Sequence, residues 1–97
     1  MPHVFAVLRS RGPAWDDSQE LEGQAGWDAH AAFMDRLFEE GFAVLVGPLD
    51  ETPDALLIVR AATKNEIFAR LAPDPWTEDG HLVTTLISRW HLRLGSV

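Results

Sequence analysis

Three observations predict an α+β domain of ferredoxin-like class, with element order β-α-β-β-α-β. Short apolar segments of strand length alternate with two stretches of helical periodicity in that order. Glycine, proline and aspartate clusters punctuate them. Two of the strand segments are also apolar on both faces, although two helices cover only one face of a four-stranded sheet.

His3 to Arg9 is β-prone and ends at Ser10-Arg11-Gly12-Pro13. Residues 10–23 then form a connection that is long for a small domain, holding Trp15, Asp16, Asp17, Ser18 and Gly23. It reads either as a binding loop whose Trp15 closes over a ligand or as a surface loop pinned by that tryptophan. A first helix spans about Gln24 to Glu40, with Gly41 at the left-handed position that ends a helix. Phe42 to Val46 is a short apolar strand stopped by Gly47-Pro48. Asp50 to Pro53 turns the chain into a second apolar strand, Ala55 to Arg60. Thr63 is placed to cap a second helix, and Glu66 three residues later completes a capping-box pattern. Ile67 and Leu71, with Phe68 and Ala69, supply that helix's buried side, and Pro73-Asp74-Pro75 breaks it. A last strand is expected over Leu82 to Leu94, with Leu82, Leu86, Trp90 and Leu92 on one face and Val83, Thr85 and Ile87 on the other.

The strands Phe42 to Val46 and Ala55 to Val59 carry apolar residues at nearly every position. The face without helices therefore needs a cover, and a second copy of the chain is the simplest one. The expected assembly is a homodimer with two sheets face to face, a dimeric α/β barrel.

The 97 residues make one domain, 1–97, with no room for a second core. Eight Lys and Arg against fifteen Asp and Glu give a formal charge of −7. That balance argues against nucleic acid and against an anionic membrane surface as partners. No cysteine is present, which excludes a disulfide, a thiol nucleophile and any cysteine-held metal. With a start lacking the basic and long apolar regions of a signal peptide, and no apolar run near the ~20 residues that span a bilayer, the expected compartment is cytoplasmic.

His30 interrupts the apolar stripe of the first helix, formed by Trp27, Phe33, Met34, Leu37 and Phe38. It points within about 20° of Leu37 on a helical wheel. An imidazole there is either a buried histidine with a hydrogen-bond partner or one lining a cavity. Asp74 before Pro75 fits a helix N-cap. It also fits a carboxylate that orients the His30 ring through one nitrogen and leaves the other free for proton transfer.

Gly26-Trp27-Asp28-Ala29-His30-Ala31-Ala32-Phe33-Met34, then Glu40-Gly41-Phe42, Gly47-Pro48-Leu49 and Asp74-Pro75-Trp76 together resemble the motifs of the YCII-related (YciI-like) proteins over nearly the whole chain. The resemblance implies a ferredoxin-like dimeric barrel with an active site centred on a His/Asp pair, here His30 and Asp74.

Around that pair, Trp27, Phe33 and Trp76 are candidate apolar walls, and Gly47-Pro48 brings backbone close to a ligand or simply ends a strand. Arg89, His91 and Arg93 form a basic stripe assigned to ion pairs. His3 and His81 receive no role. No metal is expected, because Phe33 and Met34 occupy the positions one helical turn beyond His30. No glycine-rich cofactor fingerprint is present, so no cofactor is expected.

The function expected is cofactor-independent general acid/base chemistry of lyase, isomerase or hydrolase type on a small cyclic or aromatic substrate. The alternative is a non-catalytic dimeric sensor binding a small molecule in the same place.

Overall fold

Alternation along the first strand sets the geometry of the domain. In the computed structural model, which describes residues 2–97, β1 (His3–Arg11) buries Phe5, Val7 and Arg9 on one face. Val4, Ala6, Leu8 and Ser10 take the other. β1 lies inside a four-stranded antiparallel sheet of order β2-β3-β1-β4, with β2 at Ala43–Pro48, β3 at Asp54–Ala61 and β4 at Leu82–Arg89. This is the ferredoxin-like arrangement, formed because each helix crosses over the same face of the sheet. A single 3-10 turn (Leu21–Gly23) and the helices α1 (Trp27–Glu39), α2 (Lys64–Leu71) and α3 (Pro75–Glu78) complete the chain.

The core lies between the sheet and the helices. Phe5, Val7, Leu57, Val59 and Ile87 from the strands meet Phe33 and Leu37 of α1 and Ile67 and Leu71 of α2. Each such side chain contributes about 1.5–3 kcal/mol on burial.

Local chemistry accounts for most element boundaries. α1 begins at Trp27, later than the expected Gln24, because Gly26 adopts a left-handed conformation (φ 81°) and serves as the N-cap. At its other end Gly41 is left-handed, also at φ 81°. The Gly41 N–H donates to Phe38 O and the Phe42 N–H to Leu37 O, both at 3.0 Å, which closes a Schellman motif. α2 starts at the expected cap, where Thr63 Oγ1 accepts from the Glu66 N–H at 3.1 Å. The Glu66 carboxylate reaches one residue further back than in the standard box, to the Ala62 N–H at 3.0 Å.

Five expectations are corrected. Phe68 of α2 is 55% exposed and Ala69 is also exposed, so the buried side of that helix is Ile67 and Leu71 alone. Phe38 of α1, 60% exposed, leaves the apolar stripe because the helix turns it away from the sheet. In β4 the expected faces are scrambled by a register shift, since Leu8 pairs with Leu86 but Arg9 with Thr84. The extra residue reverses parity, so Leu82 and Ile87 both face the helices and Val83 and Leu86 face away. β4 also ends at Arg89 rather than Leu94. The Trp90 N–H donates to Val4 O at 2.8 Å, the last backbone hydrogen bond from this end of β4 to β1 among the described residues. His91 and Arg93 consequently lie outside any strand, and the basic stripe with Arg89 does not form on one.

Among the described residues, no helix is long and apolar enough to cross a membrane.

Candidate active site

A carboxylate with four hydrogen bonds to three residues occupies the centre of the site. Asp74 is the N-cap of α3, and its Oδ1 accepts from the Trp76 N–H at 3.0 Å. The Pro73-Asp74-Pro75 break aims this cap inward, with Pro75 preset for the first helical turn. His30, in the first turn of α1, donates from Nδ1 to Oδ1 and Oδ2 of the same carboxylate, both at 2.9 Å. Arg9 donates from Nη1 to Oδ2 at 2.7 Å, and its Nη2 donates to the Thr77 hydroxyl. Thr77 in turn donates to Leu71 O at 2.8 Å. Asp74 is therefore both the structural cap and the partner of His30.

All three central groups are buried: Asp74 0%, Arg9 1% and His30 8% exposed. Burial pushes the Asp74 carboxyl up, but the hydrogen bonds from His30, Arg9 and the Trp76 N–H outweigh it. The net effect holds the carboxyl below its usual range. An ionised carboxylate only accepts hydrogen bonds, so His30 Nδ1 carries the proton whatever the charge of the ring. Nε2 makes no hydrogen bond to the described residues and remains for a ligand.

Aromatic rings fix the imidazole plane. The fully buried Trp76 stacks on His30 with centroids 4.0 Å apart and planes 7° from parallel. His81 stacks on Trp76 at 5.2 Å and 18°. Trp27 leans against both His30 and Trp76, and Trp15 meets Trp76 edge-on at 5.7 Å. Trp76 Nε1 donates to Ala25 O at 2.8 Å. A Cβ on Gly26 would lie 3.2 Å from Trp76 Nε1, so a glycine there permits both the left-handed turn and the close approach of the indole.

Beside this stack opens a cavity of about 640 Å³, within the usual range for small-molecule sites. His30, Arg9, Trp15, Trp27 and Trp76 line it, and Gly47-Pro48 with the β2–β3 connection forms the far wall. The structure thus brings together His30, Asp74, Trp27, Trp76, Gly47 and Pro48. Phe33 is not at this cavity. One turn beyond His30 it points into the core and borders a separate groove of about 430 Å³ with Arg36 and Arg70.

The long connection is held in place as well as lined up with the cavity. Buried Gln24 binds both sides of the loop, donating from Nε2 to Asp16 O at 2.6 Å and Gln19 O at 3.0 Å and accepting from the Asp16 N–H at 2.9 Å. Arg11 packs over the Trp15 ring at 4.8 Å. Trp15 is a cavity wall on a loop clamped by Gln24.

Arg9, Thr77 and His81 are the members of this constellation that the sequence reading passed over. Arg9 had a usable signal, since the alternation Phe5-Val7-Arg9 points it inward with the core residues. Thr77 and His81 had none, because their contacts depend on how α3 sits against β1 and Trp76. Among the described residues, no group of three or more His, Asp or Glu is gathered as a metal site would require.

No family model matches the chain, and no curated protein does. Among solved structures, the chain is similar to 5-chloro-2-hydroxyhydroquinone dehydrochlorinase from Burkholderia phenoliruptrix, determined in complex with 2,5-dihydroxybenzoquinone. The match has a TM-score of 0.68 and 22% sequence identity, covering 91% of this chain and 93% of the other. The two proteins share a fold.

Proposed function

We propose that this chain is a YCII-related enzyme that uses His30 and Asp74 for cofactor-independent general acid/base chemistry on a small cyclic or aromatic compound. The observation that carries the reading is the His30–Asp74 contact at 2.9 Å beside a cavity walled by three tryptophans. Nε2 takes a proton from the bound compound, and the electron pair left behind forms a new double bond as a leaving group departs with its own pair, or shifts an existing double bond whose far end takes the proton back from Nε2–H. Asp74 stays ionised throughout, bound to Nδ1–H, and offsets the positive charge that the ring acquires. The tryptophan side chains surround this part of the site with hydrocarbon, which suits an apolar ring. The name of the structural neighbour, a dehydrochlorinase with a quinone bound, supports a lyase reaction on a ring substrate in general kind.

The working form is a homodimer in this reading. Leu45, Val83 and Leu86 are 57%, 47% and 44% exposed on the sheet face that carries no helix, and a second sheet is the cover that fits a flat apolar surface.

The test is a panel of hydroxylated quinones, hydroquinones and lactones, beginning with 2,5-dihydroxybenzoquinone, read for both melting-temperature shift and product. Wild type should convert at least one compound, and His30→Ala should lower kcat by on the order of 10²–10⁴ with its circular dichroism unchanged. Binding without product by the wild type would overturn the catalytic reading in favour of a sensor. Unaltered turnover in His30→Ala would remove the dyad.

A further inference from the structure

Arg9 is an expensive residue in its position. It is 1% exposed, and its Nε is buried without a hydrogen-bond partner. Leaving such a donor unpaired works against folding, and a buried ion pair gives little net stability compared with a well-packed apolar side chain. The inward neighbours of Arg9 on β1 are Phe5 and Val7, which fill the same layer with hydrocarbon alone. Packing therefore does not explain a guanidinium there.

Charge accounting does. Arg9 and His30 share one acceptor, with Asp74 Oδ2 at 2.7 Å from Arg9 Nη1 and 2.9 Å from His30 Nδ1. With Arg9 permanently cationic, the Arg9–Asp74 pair is neutral, and a proton added to His30 leaves a net positive charge in a buried cluster. Without Arg9 the same carboxylate would be balanced by that proton instead. We propose that Arg9 is a positioning residue: anchored by Thr77, it locks the Asp74 carboxylate against His30 and opposes a second positive charge, so that Nε2 offers a lone pair to the cavity. This deepens the acid/base reading above and rests on it for its catalytic consequence.

The other charged groups around His30 are placed less favourably for this role. His81 is separated from it by the Trp76 ring. Asp35 on α1, Arg11 on β1 and Glu20 before the 3-10 turn line the cavity but are exposed. Asp50 and Glu51 of the β2–β3 connection are exposed too, and Asp54 is held by Ser10. Water screens most of these, whereas Arg9 acts from the interior.

The experiment follows His30 directly by nitrogen-15 NMR titration of the imidazole, without needing a substrate. In Arg9→Met the proton affinity of His30 should rise about tenfold or more over wild type, the effect of losing one charge at this range. Arg9→Lys, which keeps the charge, should restore the wild-type midpoint even if it is less stable. Thr77→Val, which removes the anchor and no charge, should leave the midpoint within a factor of about two of the wild-type value. An unmoved midpoint in folded Arg9→Met overturns the proposal. Should Arg9→Met fail to fold, the neutral and polar Arg9→Gln replaces it, with the same tenfold rise expected and an unmoved midpoint overturning the proposal. The outcomes separate from those of the enzyme reading. A shifted titration with no compound ever converted would leave Arg9 its electrostatic role and sink catalysis. Loss of turnover in His30→Ala with an unmoved Arg9→Met titration would keep the dyad and reject Arg9.

Discussion

Asp74 concentrates three jobs in one side chain: it caps α3, orients His30 and neutralises Arg9. Removing its charge leaves Arg9 buried and uncompensated, so Asp74→Asn should destabilise the protein by roughly 3–5 kcal/mol at neutral pH. The pH dependence has a defined sign. Hydrogen bonding holds the Asp74 carboxyl in the folded state below its unfolded value. Its contribution is therefore full above the unfolded pKa of about 3.9 and is lost as pH falls through the lower folded value. Urea unfolding across a pH series should show the wild type's advantage over Asp74→Asn flat near neutrality and shrinking below about pH 4. An advantage that grew toward acid would contradict the geometry. His30 and Asp74 were both visible in the sequence as residues of the wrong polarity or the right cap. Their pairing was implied by family resemblance rather than spacing, since only the packing of α3 against α1 brings them to 2.9 Å.

The elements differ in how far local chemistry specifies them. α2 is written almost completely by its own sequence, with Thr63 capping, Glu66 reaching back and Ile67 and Leu71 turned inward. α1 depends on a neighbour, because Gly26 must both turn left-handed and clear the Trp76 indole. Two substitutions expose this contrast. Thr63→Ala should cost about 1 kcal/mol in unfolding free energy with no effect on ligand affinity. Gly26→Ala should cost about 1–2 kcal/mol from the left-handed backbone. It should also shift tryptophan fluorescence and weaken ligand binding, because its Cβ displaces the ring that stacks on His30. Equal ligand affinity in both variants would show that the Trp76 stack does not set the site. β4 shows the limit of pattern reading at this scale. A single bulge opposite Leu8 and Arg9 reverses which of its residues face the core, and strict period-two alternation does not contain it.

At the scale of the whole molecule, the sheet is finished on one side only. The helices bury Phe5, Val7, Leu57 and Val59, while Leu45, Val83 and Leu86 stay open to solvent opposite them. The homodimer reading predicts that sedimentation equilibrium at micromolar concentration gives twice the 10.8 kDa chain mass. Leu86→Glu should shift the assembly to monomer, because a buried carboxylate without a partner is costly. A wild-type monomer at that concentration would leave the apolar face needing another explanation.

The amino-acid chain specified the fold class through element order and cap chemistry, both of them short-range signals. It also marked His30 and Asp74, because a polar residue in an apolar stripe and an Asp-Pro break are visible without coordinates. Tertiary structure alone decided the rest: the seating of Arg9 and Thr77 on the carboxylate, the His30–Trp76–His81 stack, the bulge in β4 and the removal of Phe33 from the site. All but the last depend on where α3 and β4 settle against β1, while Phe33 turns with α1 into the core. That placement follows from packing of residues distant in the chain, which local periodicity does not encode.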